Sequence, residues 1–350
     1  MKKNILTLCL LLFSASQFLL GQNFSASFKN GDKLYFCVTD TLKKTVGIAR
    51  LKTLDELQPT SPKGKLEIPD SVVYKGTSYQ VTSIGEKAFS GADKMTFVSI
   101  PSSVDHIGNC AFEGCVALEG VVFPSQQPQF GNDVFKDCCS ISSVSIGGDW
   151  QSVDCSLFAD SYHLEELYIP ARVRKITNFK KLSMLNRVSV DPNNAYFSSK
   201  DGLLYTKDGA TLLGCPTQKA GPIVLPDGTE KIYDGAFDAC VQLTEICLPQ
   251  SLYDFSYTAF EQCLNLVTLI FLAEVPPTTA KWNGFDVFSI LPPNAALKIE
   301  VPSDALQLYR LTLCNKPGEY KTKSGGHQQT LMTENLASKE SIHKIKKLPR

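Results

Sequence analysis

The sequence predicts a β-rich solenoid of the α/β repeat class, built from coils of 23 residues with a short strand in each. Two columns of residues predict this fold. Apolar hexads that end in phenylalanine recur every 23 residues, and a second hexad with alternating apolar positions recurs at the same spacing. A fixed period of this length indicates units that bury their apolar faces only by stacking on their neighbours.

The first column begins with an apolar residue and ends with phenylalanine, which we expect to lie in the core. Its rows are Ile84–Phe89, Ile107–Phe112, Phe130–Phe135, Val153–Phe158, Ile232–Phe237 and Phe255–Phe260. Ile176 begins a degenerate row, and the 56 residues from there to Ile232 equal two periods plus ten. Two coils with an insertion therefore fit between them.

The second column predicts the strand of each coil. Its rows are Leu118–Phe123, Ile141–Ile146, Leu164–Ile169, Leu243–Leu248 and Leu266–Phe271. The last three positions alternate between apolar and outward residues, which is typical of a strand with one buried face. Proline follows the strand at Pro101, Pro124, Pro170 and Pro249 and ends it.

The motifs VTSIGEKAF and AFEGCVALEGVVFP closely resemble the BspA-like leucine-rich repeats of bacterial surface proteins. The resemblance covers residues 66–309, and residues 188–216 are similar to a hairpin insertion of that family. It implies a leucine-rich repeat solenoid that binds a protein or glycoprotein, such as an adhesin for host or matrix glycoproteins. A structural or accessory component of a cell-envelope complex is the alternative.

The two ends of the chain differ from the repeats. Lys2 and Lys3 precede an apolar run over residues 5–13, which predicts a secretory signal peptide at residues 1–21. That run is shorter than the roughly 20 residues of a membrane span. We therefore expect a secreted or cell-surface protein, with the periplasm as a further location.

Three further segments complete the predicted organisation. Residues 22–65 contain alternating runs and lie outside the period, so we expect an N-terminal β-cap that covers the first coil. Residues 66–314 form the solenoid. Residues 315–350 carry eight Lys or Arg against three Asp or Glu, and we expect a mobile basic tail.

Charge and motifs exclude several classes of function. Removal of Lys2 and Lys3 leaves 33 basic against 35 acidic residues, a poor balance for nucleic-acid binding. The sequence has no P-loop, dinucleotide-binding, G-x-S-x-G or H-E-x-x-H motif. We expect no enzymatic activity, no cofactor and no metal.

Four cysteines stand three residues after a column phenylalanine: Cys115, Cys138, Cys240 and Cys263. Only small residues occupy this position in the other rows, Ala92 and Ser161 among them. We expect these cysteines to pack as small apolar residues with a weak donor. One or more disulfides is the alternative that export permits.

The strand face is the broadest regular surface of the predicted solenoid. Its outward positions include Val122, Tyr168, Cys247 and Ile270, and the column before the strand includes Phe97, Glu166 and Arg187. Aromatic residues are enriched among binding hot spots. The candidate partner-binding residues are therefore Tyr168, Phe97, Val122, Ile270, Glu166 and Arg187. Trp150 stands in an inward column with Val81, Val104 and Val173 and is predicted to be core.

Overall fold

A computed structural model describes residues 23–27, 33–50, 62–256, 258–277, 298–305 and 308–309. The predicted signal peptide and basic tail lie outside these residues. The model confirms the solenoid, because short strands of successive coils pair in parallel ladders. The chain divides into two compact units: Met1–Leu164 with Pro170–Leu182, and Glu165–Ile169 with Ser183–Arg350.

The first unit contains thirteen of the described strands. They are β1 (Asn23–Ser27), β2 (Lys33–Asp40), β3 (Thr45–Ile48), β4 (Gly64–Glu67), β5 (Ser71–Tyr74), β6 (Thr77–Ile84), β7 (Met95–Ser99), β8 (His106–Ile107), β9 (Gly120–Val122), β10 (Gln129–Phe130), β11 (Ser143–Ser145), β12 (Ser152–Asp154) and β14 (Lys175–Thr177). Short 3-10 helices lie at Cys155–Phe158 and Phe179–Lys181.

Two parallel ladders run through the first unit. The first ladder joins β3, β6, β8 and β10, and the second ladder joins β4, β7, β9 and β11. Strands β1 and β2 continue the first ladder as an antiparallel extension. The sequence predicted one strand per coil, which is incomplete, because most coils here contribute a strand to each ladder.

The glycine of the Ile-Gly pair permits close stacking of the coils. A Cβ at Gly108 would lie 2.6 Å from the backbone nitrogen of Glu86 in the preceding coil. One at Gly131 would lie 2.5 Å from the nitrogen of Asn109. Distances under 3.0 Å do not occur for real Cβ atoms, so a side chain here would force the coils apart.

The column phenylalanines form the stacked core that the sequence predicted. Phe112 is fully buried, and its ring lies 5.1 Å from the rings of both Phe89 and Phe135. In the second unit Phe237 and Phe260 stack in the same way at 5.3 Å. Trp150 is also fully buried, which confirms its predicted place in the core.

The second unit contains the remaining strands. They are β13 (Glu166–Ile169), β15 (Arg187–Val190), β16 (Phe197–Lys200), β17 (Leu203–Thr206), β18 (Thr211–Gly214), β19 (Gly221–Val224), β20 (Lys231–Ile232), β21 (Leu243–Leu248), β22 (Asp254–Phe255), β23 (Thr268–Phe271) and β24 (Lys298–Glu300). A 3-10 helix lies at Ser303–Ala305.

The predicted insertion forms an antiparallel meander within this unit. Strand β16 pairs with β17, and β17 pairs with β18. Strand β18 then pairs in parallel with β20, so the insertion also supplies a strand to the solenoid. The other ladder of the unit has the order β19-β21-β23-β24.

The ladder cysteines bond to the backbone of the preceding coil. The Cys138 thiol donates to the carbonyl of Phe112 at 3.0 Å, and the Cys263 thiol donates to that of Phe237 at 3.1 Å. Cys115 makes the same kind of bond at 3.3 Å. All three are fully buried, which confirms their predicted packing role. Ten cysteines of the described segments are free thiols.

We predict slow native reactivity for these thiols. The neighbouring Cys115 thiol and burial raise the pKa of Cys138, and burial raises the pKa of Cys155 to about 12, so little thiolate is present. Among the ten cysteines of the described segments, the half-buried Cys37, Cys110 and Cys139 should react with a chromogenic thiol reagent faster than the seven buried ones. After unfolding without reductant, most of the eleven thiols that follow residue 21 should react. A count of one or none would instead show a disulfide framework.

Candidate functional site

Three candidate residues lie together on adjacent strands of the second unit. Glu166 and Tyr168 are on β13 and Arg187 is on β15, and the two strands are parallel. The register places Glu166 opposite Arg187 and Tyr168 opposite Ser189. Because side chains two residues apart share one face of a strand, these residues form one patch.

Asp191 completes this patch through a hydrogen bond to the tyrosine. The Tyr168 hydroxyl donates to Asp191 Oδ2 at 2.7 Å, and the Ser189 hydroxyl donates to Glu166 Oε1 at 2.9 Å. Arg187 Nε lies 3.5 Å from the same Glu166 oxygen. We name Glu166, Tyr168, Arg187, Ser189 and Asp191 the Tyr168 cluster. The Tyr168 side chain is 46% exposed, so its ring is accessible while its hydroxyl is fixed.

The turn that follows β15 orients the aspartate. The backbone N–H of Asn193 donates to Asp191 Oδ1 at 2.8 Å, and that of Asn194 donates to the Asp191 carbonyl at 2.9 Å. This is the β-turn that the Asp-Pro-Asn-Asn sequence favours, with the aspartate side chain bonded to the backbone two residues on. One carboxylate therefore anchors both the turn and the tyrosine.

The hydrogen bond changes the titration of both partners. Donation to Asp191 raises the pKa of Tyr168, and partial burial and the Asp191 charge act in the same direction. The bond from Tyr168 lowers the pKa of Asp191, and the backbone N–H of Asn193 lowers it further. The hydrogen bond is therefore fully formed at pH values between the ordinary pKa values, about 4 for aspartate and about 10 for tyrosine.

We predict that Tyr168 titrates above the ordinary tyrosine value. The neutral phenol is favoured in the fold, so the bond is lost only as the pH rises through the raised pKa. At the acidic end it is lost as the pH falls through the lowered pKa of Asp191. Carbon-13 NMR of the Tyr168 ring carbon measures the titration. Asp191→Asn should lower the midpoint, and an unchanged midpoint would contradict the contact.

Phe97 and Val122 lie in the first unit and are half-buried. The Phe97 ring covers Gly120, where an added Cβ would lie 2.7 Å from a ring carbon. The ammonium group of Lys65 lies 5.0 Å from the centre of the same ring. Phe97 therefore packs on its neighbours on both sides and offers less free surface than Tyr168.

The expectation that Ile270 is an outward, accessible residue is wrong. Its side chain is 4% exposed, and Cys247, at the equivalent position of β21, is 2% exposed. Alternation along a strand predicts two faces, but it does not show whether the second face is open to solvent. Ile270 is therefore part of the buried structure of the second unit.

Sequence reasoning missed Asp191 as a site residue, although a signal for it was present. Asp191 stands 23 residues after Tyr168, which is one period of the repeat. Residues one period apart become neighbours when coils stack. In the structure the strands β13 and β15 pair at a spacing of 21 residues, from Glu166 to Arg187, so Asp191 lies diagonally from Tyr168 and Ser189 diagonally from Glu166.

The described segments also bear on metal binding and on membrane crossing. Those segments hold no group of three or more His, Cys, Asp or Glu residues with the geometry of a metal site. Their helices are all too short or too polar to cross a membrane.

Comparison with known proteins identifies the repeats. The family model "BspA type Leucine rich repeat region" matches six copies over residues 77–200 and 216–285. A search of the curated proteins finds no match.

Several solved structures of bacterial proteins are similar to this chain. The pneumococcal vaccine antigen PcpA is 16% identical, with a TM-score of 0.50 over 84% of this chain and 96% of that chain. A leucine-rich cell surface protein from Faecalibacterium prausnitzii is 18% identical, with a TM-score of 0.39 over 80% of this chain and 89% of its own. A leucine-rich repeat protein from Bacteroides ovatus is 21% identical, with a TM-score of 0.40 over 77% of each chain. On the family match, this chain belongs to the BspA-type leucine-rich repeat family.

Proposed function

We propose that this protein is a non-enzymatic, secreted or cell-surface protein that binds a protein or glycoprotein through the Tyr168 cluster. The observation that carries the proposal is an exposed tyrosine whose hydroxyl is held by Asp191 at 2.7 Å. A large aromatic side chain with fixed geometry loses little conformational entropy on binding. Tyrosine is also enriched among the residues that dominate binding energy.

The charges of the cluster support a protein partner rather than a polyanion. Arg187 is balanced by Glu166, and Asp191 leaves the patch with one net negative charge. Donors and acceptors stand around an apolar ring, as they do at protein interfaces. Because few charges are uncompensated, we expect binding to depend weakly on salt.

An adhesin for host or matrix glycoproteins is the specific form of this proposal. The lysines and the apolar run within residues 1–21 support export. The intact mass of the exported protein tests this part, because a mature chain that begins at Met1 would contradict it.

Binding to an immobilised extracellular-matrix preparation tests the function. We predict that Tyr168→Ala weakens capture by about tenfold or more, as expected for an aromatic hot spot. Tyr168→Phe should retain part of the binding, since the ring remains and only the bond to Asp191 is lost. Tyr162→Ala is the matched control, because Tyr162 is similarly exposed, at 49%, in the first unit.

The same assay distinguishes the cluster from the basic tail. A chain that ends at Cys314 should bind as well as the full chain, and binding should persist at high salt. If the truncation abolishes capture and Tyr168→Ala does not, the cluster is not the site. Capture from cell-envelope fractions alone would favour the envelope-component alternative.

A further inference from the structure

The first ladder is interrupted in the middle of the first unit. Strand β10 pairs with β8 on one side, but it does not pair with β12, which follows in the next coil. The distance between stacked phenylalanine rings also increases between these two coils. The ring of Phe135 lies 5.1 Å from Phe112 but 5.9 Å from Phe158, and the angle between planes rises from 7° to 30°. The second ladder is continuous here, because β9 pairs with β11.

A buried tryptophan lies beside the interruption. Trp150 occupies the inward column in which Val104 stands two coils earlier and Val173 stands one coil later. Its buried indole lies 5.1 Å from the ring of Phe123 and 5.5 Å from that of Phe130. The indole therefore packs against these two rings at the place where the first ladder is interrupted.

Side chains close the two ends of the resulting gap. At one end the Gln127 side-chain amide donates to the Ser152 carbonyl at 3.0 Å and accepts from the Ser152 N–H at 3.3 Å. At the other end the backbone N–H of Asp137 donates to Asp160 Oδ2 at 3.1 Å. These side-chain contacts replace the backbone pairing found between the regular coils.

Between these ends the backbone of residues 130–136 offers unused donors. In the preceding coil the N–H groups of Cys110 and Phe112 donate to carbonyls of the next coil, both at 2.9 Å. Asp133 and Phe135 are the equivalent residues one period later. Within the described part of the chain, their N–H groups have no hydrogen-bond acceptor. These residues lie in a turn, where Asp133 has a φ of 54°, so the two N–H groups are unpaired donors of a turn.

The gap forms a groove of about 600 Å³, which we name the edge groove. This volume is within the usual range of ligand sites. Asp133, Asp154 and Asp160 line it, and Lys136 is the basic residue in its lining. Lys136 is 4.0 Å from Glu113, so the charge of the groove is negative.

We propose that the edge groove binds an extended peptide segment that carries a lysine or arginine side chain. The equivalent donors of the preceding coil bond to two carbonyl groups two residues apart, and an extended peptide offers carbonyl groups at the same interval. The three carboxylates favour a cationic side chain and disfavour phosphate or carboxylate ligands. The inference rests on the protein-binding role proposed above but uses a surface other than the Tyr168 cluster.

An array of blocked hexapeptides tests the proposal. In each peptide of the first set, lysine alternates with one other amino acid, and that amino acid differs from peptide to peptide. The matched set carries glutamate at the lysine positions. The full protein should bind members of the lysine set only. Asp133→Asn should weaken this binding by at least about tenfold, because it removes one charge of the groove. Asparagine can adopt the left-handed backbone conformation of Asp133, whose φ is 54°.

Two variants provide the controls. Asp137→Asn has the same charge change at a residue with φ of 59° that does not line the groove, and it should bind like wild type. Ala159→Phe places a ring in the groove and should abolish binding, with circular dichroism and melting confirming that the variant is folded. In nitrogen-15 NMR spectra of the labelled protein, addition of a lysine peptide should shift the amide signals of Asp133 and Phe135 most.

The outcomes separate this inference from the function proposed above. Tyr168→Ala should leave peptide binding unchanged. If no peptide of the lysine set binds, or if folded Ala159→Phe binds as well as wild type, the edge groove is not a peptide site. Matrix capture that still depends on Tyr168 would then show that only this inference had failed.

Discussion

Replacement of Phe112 by alanine should lower the free energy of unfolding by about 3–5 kcal/mol, the usual cost of truncating a buried phenylalanine. The residue is fully buried and stacks on Phe89 and Phe135, with ring centres 5.1 Å away on each side. The truncation removes two aromatic contacts, each worth about 0.5–1.5 kcal/mol beyond burial. It also leaves a cavity between coils, which stabilise one another only through their neighbours.

Urea unfolding followed by far-ultraviolet circular dichroism measures this loss. Val116→Ala is the matched control, since Val116 lies in the same coil and is 49% exposed. Exposed substitutions of this kind usually change stability by no more than about 0.5 kcal/mol. A Phe112→Ala variant with the wild-type midpoint would show that the register of the phenylalanine column is wrong.

Trp150→Ala should cost at least as much as Phe112→Ala. Trp150 is fully buried, and its Nε1 donates to the Pro124 carbonyl at 3.1 Å. Truncation of a buried tryptophan costs about 3–5 kcal/mol. The Pro124 carbonyl also loses its donor, which adds about 1–3 kcal/mol if no water replaces it.

A second variant separates the two contributions. Trp150→Phe retains an aromatic ring against Phe123 and Phe130 but removes the bond to Pro124. Its unfolding midpoint should fall between those of wild type and Trp150→Ala. Equal midpoints for all three proteins would contradict the buried position of this side chain.

The repeat, the core and the family were all predictable from the amino-acid sequence. The 23-residue period identifies residues such as Phe112 and Cys138 that face inward, because every coil must present the same face to its neighbours. The burial of Trp150 was predicted in the same way, from its place in an inward column. Tyr168, Glu166 and Arg187 were also predicted to lie on one sheet face, because side chains alternate along a strand and the strands of stacked coils align.

Which of these positions form pairs, and which are buried, became known from the folded structure. The second strand of a coil, such as His106–Ile107, is two residues long, too short for a side-chain pattern to reveal. Ile270 is 4% exposed although its strand neighbours Leu269 and Phe271 are buried as well, so alternation along the strand did not predict its burial. The unpaired N–H groups of Asp133 and Phe135 depend on how the next coil packs, which the 23-residue period does not record. Hydrogen bonding and packing between coils are long-range properties. The period of the sequence gives the spacing of equivalent residues, but it does not show which of them bond to each other or become buried.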